Sequence, residues 1–305
     1  MRVLILGSAA GTGFPQWNCH CRYCAGVRNG TLRSRVRTCA SIAVSADDQH
    51  WLLINASPDL AQQFQRNPEL WPSDSDGTSP LTAILLTDTR LEHVGGLLTL
   101  RESGALPLHC TPSVAEELSG SLPWLSGQQH WQSRFRITHL PDSADKTFSL
   151  DSMPSLSWRV VPLNSPAQRN ARADSVHTGD TIGLFVHDQG TGRSLFYAPT
   201  LGMITPVVRT FMEKAHCVLV DGTYWSNDEL EATGNRVRAT DLGHLPLTGP
   251  RGMLDTLSQL RGTRKILTHI NHTNPILDES SPLYRHLEML EVEVEVAFDG
   301  LGIEL

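Results

Sequence analysis

Short apolar runs alternate with polar, turn-rich stretches along the whole chain, and the period of the apolar positions switches repeatedly between strand and helix. Residues 3–6 form a continuous apolar run that predicts a buried strand, followed by GSAAGTGFPQWN, whose glycines permit tight backbone turns. Residues 41–44 and 51–55 read as a strand pair joined by a polar turn at 46–49, and residues 60–66 as a helix with Asp59 near its start. After a polar loop over 68–80, a strand over 83–87 runs into LLTDTRLEHVGGLLTLRE, where a turn dense in charge gives way to an apolar-periodic helix. A strand over 106–110 and a helix over 112–118 follow, and from 120 to 155 the pattern weakens, with one short strand expected over 135–138.

The second half repeats the rhythm. Strands are expected over 156–163, 181–187 and 194–198, a helix over 206–214 opened by Thr205-Pro206, and a buried strand over 217–220 ending on Asp221. A helix over 252–261, a strand over 265–269 and a helix over 282–290 capped by Ser281 come next. EVEVEV at 291–296 alternates strictly, the mark of a half-buried edge strand. No linker or repeat divides the chain. The economical architecture is α/β, a four-layer αββα sandwich of two packed mixed sheets with helices outside, as one domain over 1–305 with a cysteine-rich loop at about residues 11–40.

Composition narrows the function classes. At 305 residues with 40% hydrophobic content, the chain can bury a substantial core. The 32 acidic and 25 basic residues give a net charge of -7 without a basic block, which argues against a nucleic-acid surface. The first apolar run is too short for a signal core, and no stretch approaches the length of a membrane helix, so the expected location is the cytoplasm. The glycine-rich stretch after residue 6 lacks the Gly-Lys-Ser/Thr ending of a phosphate loop.

Two groups of residues carry candidate chemistry. Cys19, Cys21 and Cys24 offer three soft thiolates within six residues, a set suited to a structural tetrahedral zinc with one further ligand. His272 and His20 are the candidates for the fourth position, with His272 favoured because it follows a strand end. Cys39, Cys110 and Cys217 lie in apolar contexts and read as buried small hydrophobes. The second group is Asp88, Glu92, His93, His244 and His269, each at or just beyond an apolar segment, where a layered fold would gather them on one rim. Two imidazoles, His93 and His269, with the Glu92 carboxylate form a ligand set suited to non-haem Fe(II), and Asp88 stands alongside. His244 is a candidate proton shuttle or substrate contact. Arg90 is a candidate for holding a substrate carboxylate through a bidentate pair.

The strings GFPQWNCHCRYC, INASPD, LLTDTRLEHVGGLLTLRE, LFYAPTLG, LVDGTYW, GHLPLTGPRGML, HINHTNPILDE and FDGLGIEL together resemble the coenzyme PQQ biosynthesis protein B family, a metallo-β-lactamase-fold branch, over nearly the whole chain. The resemblance implies the αββα fold, a cysteine zinc site and a role in making pyrroloquinoline quinone (PQQ) from a Glu-Tyr-bearing precursor. Related phosphodiesterases of the fold imply His272, three residues after His269, as the partner of the cysteines. Where hydrolytic relatives carry H-x-H-x-D-H, this chain has Asp88, Arg90, Glu92 and His93, and Thr200 stands where they carry a metal-bridging aspartate. A permanent charge on Arg90 beside a divalent ion would be repelled by several kcal/mol, so two-metal hydrolysis is not expected. The expected activity is Fe(II)-dependent hydroxylation of the precursor's tyrosine ring, against two rivals, a carrier for PQQ or its precursor and a metal-dependent hydrolase. Expected partners are a small-molecule or dipeptide precursor of PQQ and other PQQ biosynthesis proteins, and a homodimer is left open.

Overall fold

Apolar runs, free of exposed positions in the central strands, form two seven-stranded sheets in the computed structural model, which describes residues 1–72, 78–102, 104–120, 134–163, 165, 178–234, 236–289 and 293–305. The first sheet contains β1 (Arg2–Gly7), β2 (Ser41–Ser45), β3 (Trp51–Ile54), β4 (Leu81–Leu85), β5 (Leu106–Cys110), β6 (Phe135–His139) and β14 (Gly302–Glu304), in the order β14-β1-β2-β3-β4-β5-β6. The second contains β7 (Thr147–Leu150), β8 (Met153–Pro162), β9 (Ile182–Asp188), β10 (Ser194–Ala198), β11 (Cys217–Asp221), β12 (Arg264–Thr268) and β13 (Val294–Val296), in the order β13-β12-β11-β10-β9-β8-β7. Both sheets are mixed. β3 through β6 run parallel, as do β10 through β13, while β14 through β3 and β7 through β10 pair antiparallel.

Alternation along the strands divides the core into three apolar layers. Val3, Ile5, Val44, Leu52 and Ile54 of the first sheet meet Trp158, Val160, Leu184, Tyr197 and Leu219 of the second between the sheets. The outer face of the first sheet, including Leu4, Leu53 and Ile84, is covered by α2 (Leu60–Arg66), α3 (Leu91–Val94) and α4 (Pro112–Gly120). Phe196, Val218, Val220 and Leu267 face outward from the second sheet against α5 (Pro206–Lys214), α6 (Met253–Ser258) and α7 (Pro282–Met289). Cys24, on α1 (Arg22–Arg28), packs into this same outer layer. Among the described residues no helix is long and apolar enough to cross a membrane.

Most expected elements form, and Thr205 caps α5 as its sequence suggests, its side chain accepting from Val208 N at 3.2 Å ahead of Pro206. Three differences have local causes. The helix that carries Glu92 and His93 is α-helical for only four residues and continues as a 3-10 helix over Gly95–Glu102. Here Gly96 donates to Ala56 O at 2.8 Å, and a Cβ on Gly96 would lie 1.9 Å from Ser57 O, so the helix is pressed directly onto the backbone after β3. The cysteine stretch, expected as loop, turns helical from Arg22, with Cys21 at the N-cap position. β7 and β14 were not expected, being short strands with exposed alternate positions. The edge strand begins at Val294, and residues 290–292, on which the expected helix end and strand start fall, lie outside the described residues.

The close approach at Gly96 carries His93 into place, since Ala56 N also donates to His93 O at 2.6 Å. Gly96→Ala is therefore expected to cost at least about 1–3 kcal/mol through overpacking. Gly120→Ala, whose Cβ would meet open space, is expected to change stability little. Urea unfolding of both variants checks the contrast.

Candidate functional site

The parallel strands β4, β11 and β12 all deliver polar residues at their carboxyl ends, the end of an open α/β sheet where functional groups converge. Beyond β4, Thr87 is bracketed by Asn55, whose Oδ1 accepts from Thr87 N at 2.9 Å, and Thr87 O accepts from Ile182 N at 2.9 Å. This places Asp88 and His93, both with no exposed surface, against each other, His93 Nδ1 lying 2.7 Å from Asp88 Oδ1. Burial alone would raise the Asp88 carboxyl, but His93 and Arg90 outweigh it and hold the group well below the usual carboxylate range. An ionised carboxylate only accepts, so His93 donates from Nδ1, and in the neutral ring Nε2 is then the atom that carries the lone pair.

A second buried network closes β11 and β12. Asp221, the last residue of β11, accepts from Leu201 N at 2.8 Å and from Thr223 N at 2.9 Å. Its Oδ2 also lies 2.7 Å from His244 Nδ1, and Thr223 Oγ1 donates to its Oδ1 at 2.6 Å. Thr223 Oγ1 is in turn 2.8 Å from His269 Nδ1. His269 follows β12 directly in a left-handed conformation, φ 59°, which non-glycine residues adopt only when their surroundings hold them there. Its ring centroid lies 5.3 Å from that of His244 and 5.4 Å from that of His93.

The three imidazoles therefore share one design. Each Nδ1 is tied to an oxygen, and the buried Nε2 atoms of His93 and His269 have no hydrogen-bond partner among the described residues. Glu92 Oε1 lies 3.8 Å from His269 Nε2, beyond hydrogen-bond reach, with the Glu92 side chain 13% exposed. Burial opposes its ionisation, but His269, His93 and Arg90 hold Glu92 down to about 2. Histidine rings oriented from behind through Nδ1, with Nε2 left free, are the form in which imidazoles ligate a divalent cation. Among the described residues Asp221, His244 and His269 bring ligand-type atoms within 4.8 Å of one another, whereas Glu92, His93 and His269 do not form so tight a group. Four donors already occupy the Asp221 carboxylate, so its geometry is that of a support behind His244.

Arg90 is 2% exposed; its Nη2 donates to Leu242 O at 3.1 Å, while its buried Nε has no partner among the described residues. Thr200, after β10, is fully buried and offers a hydroxyl without a partner among the described residues, where a bridging carboxylate was absent from the sequence. Asp221 and Thr223 were not recognised as site residues. The available signal was a charged residue closing the otherwise apolar run CVLVD.

The thiols of Cys19, Cys21 and Cys24 gather within 4.8 Å of one another. Backbone N–H groups already point at them, Cys21 N at Cys19 Sγ and Gln16 N at Cys24 Sγ, each at 3.3 Å. Arg28 reaches back to the carbonyls of Cys19 and Gln16. Among the described residues, the His272 ring is not within that group of ligand atoms, and the segment instead presents His272 O, 3.9 Å from Cys21 Sγ. Cys39, Cys110 and Cys217 are buried and unbridged, as their apolar contexts suggest.

Two mixed sheets with helices outside and a histidine and carboxylate cluster at the strand ends define a protein of the metallo-β-lactamase-fold class, and a family model for the β-lactamase superfamily domain matches residues 50–270. Coenzyme PQQ synthesis protein B of Pseudomonas fluorescens SBW25 is 44% identical over the whole of both chains. The crystal structure of Zn(2+)-bound PqqB from Methylobacterium extorquens superposes with a TM-score of 0.87 at 34% identity, again over all of both chains. The chain belongs to the coenzyme PQQ synthesis protein B family. A diphosphatase of the PhnP family, 17% identical with a TM-score of 0.66 over all of this chain and 98% of its own, shares the fold.

Acid sensitivity follows from His269. Burial lowers its pKa from 6.5 to about 4, with Glu92 opposing the shift and His244 and His93 reinforcing it. The unfolded chain takes up this proton near 6.5, while the fold refuses it until about 4, so stability is lost as pH falls through that window. In metal-free protein the loss attributable to His269 is on the order of 3 kcal/mol. His269→Gln is expected to unfold with a shallower pH dependence between 6.5 and 4, measured by urea titration of chelator-treated protein.

Proposed function

We propose that the chain acts in PQQ biosynthesis as a non-haem Fe(II)-dependent oxygenase that hydroxylates the tyrosine ring of a Glu-Tyr-derived precursor. The observation that carries this reading is that the buried Nε2 atoms of His93 and His269 have no hydrogen-bond partner among the described residues, with the ionised Glu92 3.8 Å from His269 Nε2. Two imidazoles and one carboxylate leave positions open on one metal, the ligand set of oxygen-activating iron. Bound there, Fe(II) would supply the one-electron chemistry that activates molecular oxygen.

The remaining residues have roles their surroundings suit. Asp88 orients His93 through Nδ1, and Arg90 helps keep that carboxylate ionised while tying down the turn at Leu242. His244, anchored at Nδ1 by ionised Asp221, is assigned to accepting a proton from the substrate at Nε2. Thr200 leaves a second metal without its bridging carboxylate, which speaks against a two-metal hydrolase. Cys19, Cys21 and Cys24 are assigned to a structural zinc, with His272 as the fourth ligand after rotation of its side chain. The substrate is a small-molecule or dipeptide precursor, and the partners are other proteins of PQQ synthesis.

Two measurements test this. Glu92→Ala is expected to keep the cysteine-site zinc and lose the second metal, whereas Cys21→Ser loses zinc; equal zinc loss in both, read by elemental analysis, contradicts two separate sites. Anaerobic loading with Fe(II), then oxygen, ascorbate as reductant and a Glu-Tyr peptide, is expected to yield the ring-hydroxylated peptide by mass spectrometry. Peptide cleavage would favour a hydrolase, and tight PQQ binding without turnover would favour a carrier.

A further inference from the structure

The Thr223 hydroxyl occupies an unusual place. It has one hydrogen and two lone pairs, and three groups compete for it: Asp221 Oδ1 at 2.6 Å, His269 Nδ1 at 2.8 Å and His244 Nδ1 at 3.0 Å. Asp221 is fully buried, and although burial works against its charge, His244 and the surrounding donors keep the carboxyl below its ordinary range. It can therefore only accept, and the Thr223 hydrogen goes to it. Both imidazoles must then donate Nδ1–H to the Thr223 oxygen. For His244 this bond is secondary, because Asp221 Oδ2 lies closer at 2.7 Å. For His269 the Thr223 oxygen is the sole hydrogen-bond partner of Nδ1 among the described residues.

The other tautomer of His269 is not neutral in its consequences. It would place the hydrogen on Nε2, aimed at the Glu92 carboxylate 3.8 Å away, and the attraction between them would close the site on itself. The backbone around Thr223 is held firmly enough to impose the choice. Its N–H donates to Asp221 Oδ1 at 2.9 Å, and its carbonyl accepts from Asn271 N at 3.1 Å and from Asn274 Nδ2 at 3.2 Å.

We propose that Thr223 is a positioning residue that fixes His269 in the Nδ1–H tautomer, so that Nε2 stays bare and the pair of His269 and Glu92 remains open to a metal ion. This rests on the metal-site reading above, but the tautomer can be measured without that metal. Removing the hydroxyl alone, as in Thr223→Val, leaves His269 Nδ1 buried without an acceptor and favours the self-closed arrangement. Thr223→Ser restores the oxygen.

The test uses the full-length, zinc-loaded protein with nothing added to the second site. Long-range proton–nitrogen NMR of labelled histidine, with His269 assigned by the His269→Gln variant, is expected to show Nδ1–H in the wild type and in Thr223→Ser. In Thr223→Val, Nε2–H is expected to grow in. Anaerobic Fe(II) titration is expected to give about 10–100-fold weaker binding in Thr223→Val, the usual penalty for losing a group that orients a ligand, with Thr223→Ser restoring most of it. A wild-type His269 carrying its proton on Nε2 overturns the proposal whether or not the valine variant folds. So does a folded Thr223→Val that keeps the Nδ1–H tautomer. If the wild type binds no second metal, the oxygenase reading falls, while the tautomer spectrum still decides the role of Thr223.

Discussion

A carboxylate with no exposed surface stands at the end of β11, and the geometry of the site follows from the need to compensate it. An ion taken out of water costs several kcal/mol unless its surroundings replace the lost hydration. Asp221 obtains that replacement from Leu201 N, Thr223 N, the Thr223 hydroxyl and His244 Nδ1. These donors come from the turn after β10, the turn after β11 and the segment leading to α6. One buried charge thus draws three chain segments to a point, and His269, leaving the neighbouring strand, meets them through Thr223.

The fold was legible because both sheets are covered on both faces, which turns strands such as β3, β4 and β11 into unbroken apolar runs that local pattern can detect. Glu92, His93 and His269 stood out as candidates for a related reason, being polar residues placed where such runs stop. What escaped was non-local. Asp221-Gly222-Thr223 has the composition of an ordinary turn, and nothing in its neighbourhood reveals that residues 244 and 269 will lie against it. Asp88 was visible as a departure from a histidine position, but its partnership with His93 depends on a turn geometry fixed by Asn55 and Ile182. β7, β14 and α1 escaped because short elements with partly exposed faces carry little periodic signal.

The two clusters are mechanically close. Two residues separate His269 from His272, whose carbonyl lies beside Cys21. Between them, Ile270 N donates to Ser8 O at 2.9 Å and Ile270 O accepts from Ala10 N at 3.0 Å, so the strap is locked to the segment following β1. Asn274 then closes it against Gly222 O at 2.9 Å. The left-handed backbone at His269 is where this strap departs from β12, and the bonds on both sides hold a conformation that a free chain would avoid.

Arg90 and Asp88 show how an altered motif can keep its geometry while changing its chemistry. Both occupy positions where hydrolytic relatives of the fold carry ligands, and both face away from that task here. Asp88 accepts from His93 Nδ1 and from Arg90 N at 3.0 Å, which makes it the group behind a ligand-type histidine. Arg90 reaches Leu242 O, two residues before His244, and its fixed charge helps hold Asp88 ionised. An isolated arginine at this depth would be strongly disfavoured, but a neighbouring carboxylate and a carbonyl acceptor compensate it. On the proposed one-metal reading, two positions that could have served a second cation are thereby turned into supports for the imidazoles of the first, and the loss of histidines from the motif is coupled to the orientation of the ones that remain.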